Sequence, residues 1–529
     1  LVTCRDWQHI WLNEGFATYC EALYWEASRG TDEFHYYVMQ TADDYFEEAG
    51  SRYVRPIVTK TYRHPDELFD RHAYEKAGCV LHMLRHQVGD ARFRRSLKTY
   101  LQRFANGVAE TDDLRKVFEL ETGKSLQQFF DQWLYREGHP SLKVTFSADS
   151  KAARIKVEQE EQQQHDGGGE EEPPFFSFPL EVRLVFAKGG DRIYTLDISD
   201  KESTLHIPLE EENEGEVEWF SVDPEFKVLK TVSVKAPKEM LIKQLQRGKT
   251  VIERVEAARA LKEHSADAVV EALQAAVTSD FWGVAAEAAK VLGTIRTDSA
   301  YGALKKCLKG VSHPKARRAV VKALGEFRRP ESIELLKEYL HDESYFVESE
   351  VMTAIGKTRS KEQAMPVLTK GVESRSFQNV VAQGAIAGLK EFADDKEVAA
   401  LLVEKSRYGN HHRVREAATF ALGKFAGENA TVVDQLKMLL EDRWFRVRIN
   451  ACKAFADAEY VKAIPDLERV AERDLDHRVR RVAQECINMI REAASKPREV
   501  AQLREELDGM KARSLEMMQR LDRFERGLR

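Results

Sequence analysis

The run LVTCRDWQHIWLNEGFATYCEALYWE, from Leu1 to Glu26, decides how the first part of this chain is read. Between Leu12 and Trp25 apolar residues recur every three and four positions, the period of a helix. Trp7, Trp11, Leu12, Phe16, Tyr19 and Leu23 crowd that helix on every side, so the carboxylate of Glu14 is expected to be buried. A carboxylate in apolar company carries a large desolvation penalty unless it is paired or metal-bound. Glu21 follows two helical turns along the same face. Two buried carboxylates on one face suit a cation, one as ligand and one orienting the site. A buried structural ion pair fits the same pattern, and the residues alone leave both readings open.

Working outward, the chain has 529 residues, 43% of them hydrophobic, and a formal charge of -7. A domain usually takes roughly 100–150 residues, so three or more are expected. The mild acidity argues against a nucleic-acid binder, which normally shows a basic face. Cys4, Cys20, Cys79, Cys307, Cys452 and Cys486 have no CxxC spacing, which argues against disulfides and fits a reducing, cytoplasmic setting. No apolar run approaches the roughly 20 residues of a membrane span.

Helical periodicity continues to about residue 140, through Tyr74–Val88 and Leu126–Trp133. From 141 to 236 the pattern changes to short alternating segments: LKVTF, ARIKVE, LEVRLVF, RIYTLDI, STLHIPL, EVEWFSV and VLKTVSV. Alternation at period two with turns between predicts a β-sandwich. The stretch QEEQQQHDGGGEEEPP interrupts it and reads as a solvated loop; its histidine, His165, reads as a loop residue and not a ligand.

From 237 to 496 the chain repeats itself. Leu261, Leu292, Leu324, Ile355, Leu389, Leu422, Phe455 and Ile487 occupy equivalent places, at steps in the solenoid range. Small residues precede most of them, as in EAARAL, EAAKVLG, AVVKALG, EAATFALG and NACKAFA, and let helices approach closely. Gly293, Gly325, Gly356 and Gly423 suit helix C-termini. These repeats resemble HEAT repeats. In the last segment, 497–529, Val500, Leu503, Leu507, Met510, Met517, Leu521, Phe524 and Leu528 alternate at three and four, with Ser514 breaking the seam. That pattern predicts a single capping helix or a coiled coil, and the latter admits a dimer. The fold class is therefore multidomain and mainly α.

Three motifs carry a family resemblance. LVTCRDWQHIWLNEGFATY (1–19) resembles the run that follows the HExxH helix in the aminopeptidase N family of gluzincin zinc aminopeptidases. His72-Ala-Tyr74-Glu-Lys-Ala-Gly-Cys-Val-Leu-His-Met-Leu-Arg85 resembles the family's YxKG-VLHML segment, with Ala77 at the usual glycine position and Gly78 following. Thr111–Leu114, Phe129–Trp133 and Gly138-His139-Pro140 resemble the end of its thermolysin-like helical subdomain, before a β-sandwich.

The resemblance implies one zinc ion with Glu14 as a ligand, Tyr74 as hydrogen-bond donor to the oxyanion, and Glu21 as a supporting carboxylate. It places the two zinc histidines, the general base and the amine anchor upstream of Leu1, so this chain alone is expected to be inactive and its full-length parent active. The implied function is release of N-terminal residues from peptide substrates. The alternative is a non-catalytic, peptidase-like scaffold whose repeats bind a protein partner; a lid over the active site is the other use of those repeats. His82 and His86 stand at i and i+4, but Met83 occupies the place where a zincin motif needs its glutamate, so they read as packing residues. His9 reads as a hydrogen-bonding residue.

Overall fold

A computed structural model describes residues 2–149, 151–160, 175–209, 216–279, 281–427, 429–495, 506 and 510. The tail segment 497–529 thus lies outside the described residues save Glu506 and Met510, as does nearly all of the loop that holds His165. Among the described residues no helix is long and apolar enough to cross a membrane. The chain divides into two compact units, 1–261 and 262–529.

In the first unit, α1 (Trp11–Arg29) and α2 (Thr31–Ser51) form an antiparallel pair around Gly30, whose φ of 92° is the left-handed region that favours glycine. A π-helical turn, His72–Lys76, leads directly into α3 (Ala77–Val88); α4 (Asp90–Arg103) and α5 (Thr111–Thr122) follow. Trp11, Tyr45, Phe93, Phe118, Phe130 and Trp133 are buried and fill the space between them. Contact between α1 and α3 is close because the facing residues are small. A Cβ on Gly15 would lie 2.6 Å from the Ala77 Cβ, and one on Gly78 would lie 3.0 Å from Thr18 Cγ2. Gly78, one place beyond the usual glycine, therefore still meets α1.

Seven strands follow: β1 (Ser141–Ala148), β2 (Ala152–Gln159), β3 (Phe178–Phe186), β4 (Asp191–Ile198), β5 (Glu202–Pro208), β6 (Val217–Val222) and β7 (Thr231–Lys235). They form a four-stranded sheet, β5-β2-β1-β7, and a three-stranded one, β4-β3-β6. The period-two alternation puts Leu142, Val144, Ile155 and Val157 on the inner face of one sheet and Leu180, Val182 and Leu184 on that of the other. Phe146 of β1 stacks on Phe220 of β6 with ring centroids 4.7 Å apart, so the sheets pack face to face. Trp133, from the helical region, sits against Phe176 (5.1 Å) and Phe178 (6.3 Å).

Two more helices, α6 (Lys238–Arg247) and α7 (Val251–Ala260), belong to the first unit. Their side chains show why. Glu253 is fully buried and accepts from the Ser221 hydroxyl at 2.7 Å. Arg259 donates to both carboxylate oxygens of Asp43 on α2, at 3.1 and 2.6 Å.

In the second unit, one helix of each repeat stacks on its equivalent in the next: Trp282–Ile295, Pro314–Glu326, Tyr345–Lys357, Val380–Leu389, His412–Ala421, Phe445–Asp457 and His477–Ser495. Leu292, Leu324, Ile355, Leu389, Leu422, Phe455 and Ile487 are all at most 1% exposed, so the repeat period marks core positions. The glycines do a different job from the one expected. Gly293, Gly325, Gly356 and Gly423 are not left-handed caps. They lie inside the last turns, where a Cβ on Gly356 would come within 2.3 Å of Gly388 Cα and one on Gly325 within 2.9 Å of the Ala354 Cβ. After four of these helices the left-handed residue is not glycine: Arg296, Arg328, Arg359 and Glu459. Arginine–aspartate pairs recur with the period: the buried Arg317–Asp342 at 2.6 Å and Arg415–Asp442, and the half-buried Arg448–Asp474 at 2.6 Å.

Candidate functional site

Glu14 sits in the first turn of α1 and is half-buried, not buried. Its partner is Tyr74, from the π-turn. Burial, together with the nearby Glu14 carboxylate, pushes the Tyr74 phenol pKa far above its ordinary value. The close Gly15–Ala77 contact makes the meeting possible, because each side chain is one residue from that contact or held by the turn that leads into it. Among the described residues no cationic side chain pairs with Glu14. Tyr74 also packs beside Ile10, Leu68 and Ala73, with Cys4 and Tyr62 nearby, and its ring stands 6.4 Å from Phe69, itself 6.1 Å from the exposed Trp7.

Glu21 is exposed and accepts from the Tyr37 hydroxyl at 2.5 Å. Glu14 and Glu21 of α1 thus have different neighbours: the structure brings Glu14 to Tyr74 and Glu21 to α2. Neither is fully buried, because the outward face of α1 stays partly open.

His9 is buried and closes a joint between α1 and α5. Its Nδ1 and the Trp11 Nε1–H both meet the Thr111 hydroxyl at 2.9 Å. His82 is buried among Tyr19 (6.1 Å), Phe34 (5.3 Å) and His86 (4.6 Å), and burial drives its pKa well below the ordinary histidine value. Neutral and enclosed, it packs.

A second cluster lies behind the π-turn and carries no motif in the sequence. Glu48, Asp70 and His72 bring potential metal-ligating atoms within 4.8 Å of one another. Arg55 grips both oxygens of Asp70, at 2.8 and 2.6 Å, and Arg52 holds Glu48 at 2.7 Å. Two guanidinium groups balance two carboxylates, so the cluster is a closed charge network with no need of a metal. Lys76 is fully buried. Burial pushes its pKa down to about 7, and its ammonium reaches the Arg136 carbonyl (3.5 Å) and the face of Tyr45 (5.7 Å).

Helices that bring a carboxylate near a tyrosine thus precede a β-sandwich and a helical solenoid. Residues 1–133 match the peptidase family M1 domain, and residues 239–312, 303–390 and 399–488 match HEAT repeats. The first part of the chain is therefore similar to a peptidase family M1 domain and the second to HEAT repeats.

Tricorn protease-interacting factor F2 of Thermoplasma volcanium is 31% identical over 163 residues, 30% of this chain and 20% of that protein. Aminopeptidase M1 of Arabidopsis thaliana is 29% identical over 161 residues, 30% of this chain and 18% of that protein. Leucyl aminopeptidase of Saccharolobus solfataricus is 28% identical over 164 residues, 30% of this chain and 20% of that protein. The matched segment therefore spans no more than 20% of these relatives. The crystal structure of Legionella pneumophila aminopeptidase A in complex with aspartic acid superimposes with a TM-score of 0.63 at 15% identity, covering 92% of this chain and 64% of that one. At that identity the likeness is one of fold.

Proposed function

We propose that this chain supplies part of the active site of a zinc-dependent aminopeptidase that releases N-terminal residues from peptides. The carrying observation is the meeting of Glu14 and Tyr74, two residues 60 positions apart, at a half-buried site open to solvent. Glu14 fits a metal: it is an anionic oxygen donor without a cationic partner among the described residues. A catalytic zinc takes three protein ligands, so Glu14 serves with two others outside this chain. When bound, zinc supplies a polarised carbonyl and a water acidic enough to attack it near neutrality.

The chain's own residues do the rest of what is assigned here. Tyr74 keeps its proton across the working pH range, because burial and Glu14 oppose ionisation. It can therefore donate a hydrogen bond to the carbonyl oxygen as negative charge grows there. Glu21, held by Tyr37, fixes the outer end of α1 on α2 and supports the site at one remove.

In the full-length protein, Tyr74→Phe is expected to lower kcat by about a hundred- to thousandfold with the metal retained. Glu14→Ala is expected to lose zinc as well as activity, and chelation of the parent followed by zinc should restore peptidase activity. The chain 1–529 alone is expected to be inactive. A Tyr74→Phe parent with undiminished kcat, or a parent active after exhaustive zinc removal, defeats the reading.

A scaffold role for the repeats has its own support: Tyr345, Phe346, Phe377 and Tyr408 are each about half exposed or more along the helical unit. A contiguous patch built from such side chains would suit a protein partner.

A further inference from the structure

Tyr74 is presented by a π-helical turn, and such a turn needs holding. It carries one residue more than an α-helix would, and relaxation to the α form removes that residue from the register. Asp70 is the residue that fastens it. Asp70 Oδ1 accepts the backbone N–H of His72 at 3.0 Å and of Ala73 at 3.1 Å. Its carbonyl accepts the N–H of Ala73 and of Tyr74, each at 3.2 Å. From the other side Arg55 Nε reaches Oδ2 at 2.8 Å, Arg55 Nη2 reaches Oδ1 at 2.6 Å, and the Tyr53 hydroxyl donates to Oδ2 at 2.8 Å.

Arg55 is itself anchored, donating to the carbonyls of Pro56 (2.6 Å), Ile57 (3.0 Å) and Leu68 (3.3 Å). The Asp70 side chain is 2% exposed. Two weaker ties act alongside. Glu48 accepts the Arg71 N–H at 2.9 Å, and the fully buried His72 ring stacks on Tyr53 at 5.5 Å while accepting the Arg55 N–H at 3.3 Å.

We propose that Asp70, locked to Arg55, is the positioning residue for Tyr74: it keeps the extra residue in the π-turn and so keeps the Tyr74 hydroxyl against Glu14. The proposal rests on the role given to Tyr74 above. Loss of one residue of register turns a helix by about 100°, enough to carry the hydroxyl away from its partner. Asp70 touches neither substrate nor metal and acts only through the turn.

The test uses the chain 1–529 with 3-fluorotyrosine at position 74, followed by fluorine NMR at neutral pH. In the unaltered chain the half-buried ring should give one resonance displaced from that of a free fluorotyrosine. Asp70→Ala should move that resonance toward the free position. Asp70→Asn keeps an acceptor for the turn's N–H groups but cannot balance Arg55; it should move the resonance the same way by less, and it decides the matter if Asp70→Ala does not fold. An unchanged resonance in folded Asp70→Asn overturns the proposal.

In the active parent, Asp70→Asn should lower kcat about tenfold or more with KM little changed, as misplacement of a reacting group does. The Asp70→Asn, Tyr74→Phe double variant should be no slower than Tyr74→Phe alone; fully additive losses also overturn the proposal. If Tyr74→Phe alone leaves kcat intact, the role given to Tyr74 fails, while the fluorine resonance still decides whether Asp70 holds the turn.

Discussion

The helical region before the sandwich and the repeat unit after it solve the same packing problem with different materials. In the repeats, alanine and glycine bring helices together, and an arginine–aspartate pair recurs: Arg317–Asp342, Arg415–Asp442, Arg448–Asp474. In the helical region the close contact is confined to one helix pair, Gly15 against Ala77 and Gly78 against Thr18, and the Arg55–Asp70 pair stands behind Tyr74. A repeated device stabilises a stack and can be weakened at one rung. A device set beside the residue that meets Glu14 ties stability to the geometry of the site.

The largest expected effect breaks that contrast open. Removing one partner of a buried ion pair leaves an uncompensated charge and costs about 3–5 kcal/mol. Arg415→Ala should impose that loss on the repeats, where Asp442 is 1% exposed. Because each repeat depends on its neighbours alone, denaturant should then unfold the second unit in more than one step. Arg55→Ala should cost the first unit a similar amount but leave a single transition, and it should also disturb Tyr74. Circular dichroism of the separate units, 1–261 and 262–529, reads both. A single sharp transition in Arg415→Ala would remove the distinction.

A middle-sized effect concerns the glycines. Gly356→Ala drives a Cβ to within 2.3 Å of the Gly388 backbone, where nothing flexible can give way, and should cost about 1–3 kcal/mol or more. Gly302 lies inside a helix with nothing within 4 Å of its would-be Cβ, so Gly302→Ala should stabilise by roughly 0.5–1 kcal/mol. If both substitutions shift the melting temperature alike, close approach is not what these glycines provide.

The same contrast explains what the sequence let a reader see. Period carries information: the recurrence of Leu292, Leu324, Ile355 and their equivalents located the stacked helices, and the alternation in LEVRLVF and EVEWFSV located strands. The small residues at 15, 77 and 78 were visible as motif letters. What they do, which is to let α1 reach α3, shows only when a Cβ is placed on them.

The π-turn left no compositional mark, since one inserted residue changes neither hydrophobicity nor charge. The tie between Arg55 and Asp70 was equally hidden: their 15-residue separation crosses a loop, and nothing local pairs them. Glu14 was read as buried because aromatics surround it in sequence, yet several of those rings lie on other faces of α1, and the carboxylate stays half-open. The glycines of the repeats were read as caps because they stand near helix ends, whereas their neighbours in space come from the next repeat.

The smallest expected effect is on pH dependence, and it again separates the two units. In the first unit, burial holds His82 far below its usual pKa and lowers that of His139 to about 3. A histidine free in the unfolded chain titrates near 6.5, so between about pH 6.5 and 3 the unfolded state binds more protons than the folded one. Stability from these residues is therefore complete above about pH 6.5 and falls as pH drops toward the folded values. Among the described histidines of the second unit, only the exposed His411 is lowered. Carboxyls raised by burial act in the opposite sense: Glu75 and Glu256 in the first unit, fewer than its lowered histidines, and Glu348 in the second. Unit 1–261 should lose stability faster than 262–529 when denaturant midpoints are compared at pH 7 and pH 5. His82→Leu, which fills the space without a titrating ring, should flatten the slope of the first unit alone. Equal slopes in the two units, or a slope in the first that His82→Leu leaves untouched, would mean that its buried imidazoles are not what makes it acid-sensitive.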